Sequence, residues 1–505
     1  MATVCIVIAC SAPVLAQTTL TTLYGYEAGA QEGSTCSNGE SAFGAYALYS
    51  ETCPNPSGNT AIGSYALYSN GSTVTNNTAV GAFALYTNTT GAQNTALGLQ
   101  ALQYNTSATA NTAVGYRALR RNDNDAKGAA VDNTAVGNFA LNENTDGYMN
   151  TATGAGSLLA NTTGFENTAS GVNALTANTQ GSNNTALGYD ALVSSQNADG
   201  NTAVGVEALA ANNGSTGYNT AIGYQALGTD PVGNYSTAVG AYSLASVTSG
   251  SIGYNTGFGA FTLNLNSSGS ANTAFGYAAL RSTTTGNNNI GFGYQSLYLD
   301  GAGSNNIAMG YQAAYNVQSG SNIIEIGNAG ASADNDMIRI GTQGVQKSAF
   351  VAGIYGNTLT GSAVYVTSSG ELGVQASSER FKTDIEPMGA ASERLAQLRP
   401  VTFKLKSDAT GTTQYGLIAE EVAKVYPELV IRGADGRIDG IRYEELTPML
   451  LNELQQQRTL NAAQTERIAA LEAQTAQFKA MQEKLESMQA MLLHLQSRNE
   501  QLAMR

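Results

Sequence analysis

The amino-acid sequence predicts a mainly β protein: a long parallel β-solenoid stalk, then a small α/β or α+β domain, then a C-terminal coiled coil. Three observations support this prediction. A short motif repeats through most of the chain, the composition changes abruptly near residue 377, and the residues after Leu450 include neither proline nor glycine. Each observation marks one of three successive regions.

The repeated unit is Asn-Thr-Ala-Val-Gly-x-x-Ala-Leu, which occurs unchanged at 77–85, 111–119 and 133–141. Most copies begin 17 residues apart, and the array extends from about residue 21 to residue 330. A period of 17 residues is too short for a helix pair or a propeller blade. It fits one coil of a parallel β-solenoid, with two short strands and two turns.

One coil cannot bury its own apolar face, so the repeats are expected to stack. We predict that Val80, Leu97 and Val114, at the fourth place of the repeat, form one buried column, and that ninth-place residues such as Leu85 form another. The fifth-place glycine, such as Gly81, suits a tight turn with positive φ. The repeated asparagines are predicted to form a ladder of side-chain amides. Calcium binding is the alternative for these places, but acidic residues are sparse there.

The composition excludes several classes of function. The formal charge of −14 and the isoelectric point near 4.6 argue against nucleic acid as a partner, because phosphate binding relies on Lys and Arg. His494 is the only histidine, so mechanisms that need a catalytic or metal-ligating histidine are ruled out. We interpret His494 as a surface residue of the coiled coil. The sequence predicts no metal site and no cofactor.

The N-terminus predicts export. Residues 1–16 resemble a secretory signal, with an apolar run at 4–9 followed by small residues. Lipoprotein-type processing at Cys10 is the alternative. No stretch approaches the roughly 18 apolar residues of a membrane span, so we expect a secreted or cell-surface protein. Cys36 and Cys53 would remain after processing, and the sequence leaves open whether they pair or stay free thiols.

The C-terminal segment, 451–505, is rich in Gln, Ala, Glu, Leu and Met, which are good helix formers. Three- and four-residue spacings within it predict the seam of a coiled coil. The seam residues are Phe478, Met481, Leu485, Met488, Leu492, Leu495, Asn499 and Leu502. A membrane-surface helix is the alternative, but the polar face lacks a cluster of Lys and Arg.

The composition break lies at Ala-Ser-Ser-Glu-Arg-Phe-Lys, residues 376–382. Ser377 and Lys382 are five residues apart, and a desolvated, neutral lysine can remove the proton of a serine hydroxyl. That spacing is common by chance and carries little weight alone. The predicted domains are a signal peptide at 1–16, the stalk at 17–330, a β-rich neck at 331–376, a globular domain at 377–450 and the coiled coil at 451–505.

The surroundings of this motif resemble the intramolecular chaperone domain of phage endosialidases and tail fibres. That family is also an autoproteolytic serine peptidase family, and a related domain occurs in myelin regulatory factor. The resemblance rests on five blocks in the same order, at 377–382, 398–401, 415–422, 426–430 and 441–443.

The resemblance implies that Ser377 is the nucleophile and Lys382 its general base. It also implies that the bond between Ala376 and Ser377 is cut in the assembled trimer. Family members often carry aspartate directly after the serine, where this chain has Ser378.

The stalk motif resembles the head repeats of trimeric autotransporter adhesins and the shaft repeats of phage tail fibres. This resemblance implies three parallel chains wound side by side. We therefore predict a homotrimeric surface or tail-fibre-like protein, with a host-surface glycan or receptor as a candidate partner. An uncleaved adhesin and a glycan-degrading spike are the alternatives. A glycosidase needs two converging carboxylates, and the stalk offers few acidic residues.

Overall fold

The computed structural model describes residues 22–29, 39–50, 58–71, 74–212, 217–229, 234–247, 253–352, 354, 360–433 and 435–504. The chain divides into two compact units, Met1–Leu359 and Thr360–Arg505. The signal-like residues 1–16, as well as Cys36 and Cys53, lie outside the described residues.

The first unit is a parallel β-solenoid with a repeat of about 17 residues, as predicted. Each coil contributes one three-residue strand, and 19 such strands form one sheet among the described residues. Neighbouring coils pair in register, so that Thr78, Ala79 and Val80 lie beside the same three places of the next coil. The strands are Thr22–Tyr24, Ser41–Phe43, Thr60–Ile62, Thr78–Val80, Thr95–Leu97, Thr112–Val114, Thr134–Val136, Thr151–Thr153, Thr168–Ser170, Thr185–Leu187, Thr202–Val204, Thr220–Ile222, Thr237–Val239, Thr256–Phe258, Thr273–Phe275, Ile290–Phe292, Ile307–Met309, Ile324–Ile326 and Ile338–Ile340.

The prediction of a second strand in each coil is wrong. The second apolar run forms turns, in which φ is +58° at Phe83 and +51° at Leu85. Its backbone still pairs between coils, because the Leu85 amide donates to the Ala101 carbonyl at 3.0 Å. The predicted positive φ of the fifth-place glycine is confirmed at +135° for Gly81, where a Cβ would lie 2.4 Å from the Gly98 carbonyl oxygen.

Small side chains fill the interior. The alanines at the third and eighth places and the leucine at the ninth, such as Ala79, Ala84 and Leu85, are fully buried. The predicted buried column at the fourth place is wrong: those residues stack, but Leu97 is 47% exposed. Successive side chains of a strand point to opposite faces, so burial of the third place turns the second and fourth outward.

Two asparagine ladders run through the stack, which confirms the predicted amide ladder. At the first place of the repeat, the Asn94 backbone nitrogen donates to Asn77 Oδ1 at 2.8 Å. At the twelfth place, Asn105 Nδ2 donates to Asn88 Oδ1 at 3.1 Å. Asn77 Nδ2 and Asn88 Nδ2 also both donate to the Gly91 carbonyl, at 3.0 and 2.9 Å. The buried amides therefore join each coil to the next and close the coil across its interior.

The alanine column ends in a charge cluster in which Glu325 is buried and Arg339 is partly exposed. Glu325 follows Ala308 in the third-place column and is followed by Arg339. Its carboxylate is buried and lies 3.7 Å from Arg339 Nε, while Arg339 Nη2 binds Asp334 Oδ1 at 2.6 Å. Neither Glu325 oxygen has a hydrogen-bond partner among the described residues. Burial raises the pKa of Glu325 to about 7, although the Arg339 charge opposes the shift.

This cluster predicts that the last coils weaken as pH rises. A carboxyl whose pKa is higher in the folded than in the unfolded state stabilises the fold at low pH, and that stability is lost as pH rises from its ordinary pKa through about 7. Hydrogen-exchange protection of Ile324–Ile326 and Ile338–Ile340 should therefore fall between pH 5 and pH 8. Glu325→Gln should remove most of this dependence. Equal pH dependence in both proteins would contradict the assignment.

The second unit is small and mixed. It contains short antiparallel hairpins, 3-10 turns, one short helix and one long helix. The elements are the strand pairs Tyr365–Val366 with Leu372–Gly373, Val401–Phe403 with Gln414–Gly416, and Val430–Arg432 with Ile438–Ile441; the 3-10 helices Glu379–Phe381, Gly389–Gln397 and Pro427–Leu429; and the α-helices Ala419–Val425 and Tyr443–Ala503. No helix of the described residues is long and apolar enough to cross a membrane.

Candidate functional site

The predicted cleavage motif lies at the start of the globular part of the second unit. Ala376 and Ser377 are in a segment without regular secondary structure, and the 3-10 helix Glu379–Phe381 begins after Ser378. The Phe381 amide donates to the Ser378 carbonyl, and the Lys382 amide donates to the Glu379 carbonyl, each at 3.0 Å. One tight turn therefore separates Ser377 from Lys382.

The single chain does not bring the two predicted catalytic side chains together. No hydrogen bond joins the Ser377 hydroxyl to the Lys382 amine in the described chain, and both residues are exposed. The Arg380 guanidinium lies 4.6 Å from the centre of the Phe381 ring, which is also exposed. A lysine acts as a base only when its amine is desolvated, and the isolated chain provides no such enclosure.

The second unit also contains a small apolar core. Its fully or nearly buried residues are Val422, Tyr426, Leu429, Val430, Ile441, Leu446 and Met449. Tyr426 is the largest of them; its hydroxyl donates to the Ala391 carbonyl at 3.0 Å, and the Arg394 guanidinium lies 4.6 Å from its ring centre. Burial raises the pKa of Tyr426, so it stays a neutral donor.

The conspicuous polar pair of the domain joins two of the sequence blocks. Arg399 Nη2 and Nε donate to the two oxygens of Glu421, at 2.6 and 3.2 Å. These two hydrogen bonds lower the pKa of Glu421. They also hold the start of helix Ala419–Val425 against the strand that begins at Val401. The Leu417 backbone amide donates to the Tyr443 hydroxyl at 2.9 Å, which links block 415–422 to a third block, 441–443, where the long helix begins.

The long helix is anchored by contacts that sequence reasoning missed. Asn452 Nδ2 donates to the Gly389 carbonyl at 2.8 Å and to the buried Ser392 hydroxyl at 2.6 Å. Gln456 Nε2 also donates to the Gly389 carbonyl, at 2.6 Å. These partners are 60 to 67 residues apart in sequence. No local pattern signals such a pair, because each residue alone is an ordinary polar side chain.

Much apolar surface of this unit is exposed among the described residues. Phe381, Ile385, Tyr415 and Leu450 are exposed in the globular part. Along helix Tyr443–Ala503, the predicted seam is exposed at every apolar position: Phe478, Met481, Leu485, Met488, Leu492, Leu495 and Leu502. A monomer rarely exposes so long an apolar stripe, so it marks a contact surface.

The comparisons with known proteins agree with this picture in the C-terminal region. No curated protein and no solved structure matches the chain. Residues 377–431 match the family described as chaperone of endosialidase. The matched segment begins at Ser377, and it includes the predicted cleavage motif, the pair of Arg399 and Glu421, and Tyr426 of the apolar core. The resemblance noted from the sequence blocks is thereby confirmed: over residues 377–431, this chain is similar to the chaperone of endosialidase family.

Proposed function

We propose that this protein is a homotrimeric, surface or tail-fibre-like structural and adhesive protein whose C-terminal domain is an intramolecular trimerisation chaperone. A β-solenoid stalk followed by a chaperone-of-endosialidase segment fits a tail-fibre-like protein. The observation that carries the proposal is the exposed seam of helix Tyr443–Ala503 next to that segment. A three-stranded coiled coil would bury the seam and hold three chains in one register.

Alignment of the three chains is the assembly step that a chaperone domain would assist. Solenoid contacts between chains are non-local, so their loop-closure entropy must be met before any contact stabilises the assembly. A compact trimer at one end of the three chains holds them in alignment. Later contacts between the stalks then form between neighbouring segments, at a lower cost in loop-closure entropy. The domain therefore acts as a folding aid, and the stalk is the lasting product.

We further assign self-cleavage to the same domain. Ser377 Oγ attacks the Ala376 carbonyl carbon while Lys382 accepts the hydroxyl proton. Lys382 passes this proton to the Ser377 nitrogen as the bond between that nitrogen and the carbonyl carbon breaks, which leaves an ester on Oγ and a free α-amine. Water then hydrolyses the ester to an Ala376 carboxylate and the Ser377 hydroxyl. Because both side chains are exposed in a single chain, the desolvated site would form only on assembly.

Substitutions that place a charge on or off the seam of the coiled coil test the proposed trimer. In the full chain with Ser377→Ala, Leu485→Asp places a buried charge in the coiled coil and should convert the trimer to monomers. Leu493→Asp is the matched control, because Leu493 lies off the seam. The two leucines are 52% and 66% exposed in the single chain, so neither change harms the chain alone. Sedimentation equilibrium should find a trimer for the control. Monomers for the unsubstituted chain would overturn the proposal.

A further inference from the structure

Four coils near the C-terminal end of the solenoid expose a row of large apolar side chains. Between Thr256 and Tyr311, these side chains occupy every fourth place, three of the four sixth places and one second place. These eight residues, the aromatic stripe, are Phe258, Phe275, Tyr277, Ile290, Phe292, Tyr294, Met309 and Tyr311. None of them is charged.

The rings of the stripe form two ladders with the period of the coils. Ring centres are 5.0 Å apart for Phe258 and Phe275, and 4.9 Å apart for Phe275 and Phe292. In the second ladder, Tyr294 lies 5.5 Å from Tyr277 and 5.3 Å from Tyr311. Two residues of chain separate the ladders, so their Cα atoms lie within about 7 Å of each other. The stripe is therefore one continuous surface.

The stripe is larger than a monomer ordinarily leaves in water. About half of each side chain is exposed. With about 200 Å² for a whole aromatic side chain, the stripe presents on the order of 800 Å². The largest apolar patch of a typical monomer covers about 300–600 Å². Each partner in a specific protein interface buries about 800 Å², so the stripe is large enough for a stable contact.

The geometry of the stripe favours another copy of this chain as its partner. Each ring face is covered by the ring of the next coil, so a sugar could reach only ring edges rather than stack on a face. A parallel copy carries the same ladders at the same spacing, so every coil would meet an equivalent coil. Closed symmetry about one axis repeats that match for three chains.

Two coils in the middle of the stalk offer less to such a contact. At the fourth place, these coils carry Thr153 and Ser170 instead of phenylalanine. The aromatic stripe also lies nearest in sequence to the chaperone-like segment that begins at Ser377. We infer that the aromatic stripe is the surface through which the stalks of three copies pack in parallel, with the middle of the stalk contributing less. This inference rests on the proposed trimer.

Thiol protection tests the stripe in the full chain. The four native cysteines are replaced by serine, and a single cysteine is introduced as Phe275→Cys or as Leu265→Cys. Phe275 and Leu265 are 44% and 41% exposed in the single chain, but Leu265, at the eleventh place of its coil, is outside the stripe. Labelling by a maleimide in the trimer should be at least about tenfold slower for Phe275→Cys, because interface cores pack as densely as protein interiors. Both thiols should react alike in urea.

The outcomes separate the two claims. A trimer whose two thiols react at equal rates would overturn the inference and leave the proposed function intact. A monomer in sedimentation would overturn the proposed function itself. As a second variant, Phe275→Ser with Phe292→Ser copies the polar fourth place of the middle coils and should lower the temperature at which trimers dissociate. The same change at Leu187 and Val204, also at the fourth place, should lower it less.

Discussion

Purified wild-type protein is expected to be cut between Ala376 and Ser377, and Ser377→Ala should abolish the cut. Without the hydroxyl there is no nucleophile for the Ala376 carbonyl, so the loss should be complete rather than partial. Lys382→Ala should leave a full-length trimer as well, because no base remains to take the proton. Intact-mass spectrometry should find, for the wild type alone, a C-terminal fragment that begins at Ser377.

Ser378→Ala is the matched control for the nucleophile. Ser378 is the neighbouring, equally exposed serine, and its carbonyl rather than its hydroxyl holds the turn at Phe381. This variant should still be cut before Ser377. A fragment that begins at Ser378, or an intact wild-type chain in a trimer, would contradict the assignment. In a chain that keeps Ser377, Leu485→Asp should abolish cleavage together with assembly, since the site forms only in the trimer.

Asn167→Ala is expected to destabilise the stalk by about 2–4 kcal/mol, because a buried polar group left without its partner costs about 1–3 kcal/mol. Asn167 Nδ2 donates to the Gly181 carbonyl at 2.8 Å and to Asn150 Oδ1 at 3.1 Å. Its Oδ1 accepts from the Asn184 backbone nitrogen at 3.0 Å and from Asn184 Nδ2 at 3.1 Å. Alanine removes all four hydrogen bonds and leaves the Asn184 amide buried.

The urea midpoint of the far-ultraviolet circular dichroism transition measures this effect. All proteins are compared at one concentration, since the stability of an oligomer depends on concentration. Thr163→Ala is the control, because Thr163 is exposed in the preceding coil. Its midpoint should match that of the wild type. Equal midpoints for Asn167→Ala and Thr163→Ala would show that the ladder contributes little to stability.

The amino-acid sequence alone determined the period of the stalk, the turn at the fifth-place glycine and the asparagine ladder. Repetition every 17 residues restricts the fold to stacked coils, and Gly81 and Asn77 occupy places where only their own chemistry fits. The five blocks after Ser377 likewise identified the chaperone-like segment, which the family comparison matches over 377–431. These features are local, so each repeat or block contains its own signal.

Only the tertiary structure decided which apolar residues face inward. Ala79 and Val80 are both apolar, and their alternation fits either orientation of the strand. Beside the strand the interior of the coil is narrow, so it admits alanine at the third place and leaves the larger fourth-place side chains outside. The tertiary structure likewise set Arg339 beside Glu325 and Asn452 against Gly389, because only folding brings residues so far apart in sequence within hydrogen-bond or charge range. The tertiary structure therefore places alanine inside each coil and exposes the large apolar side chains of the fourth place on the outer face of the stalk.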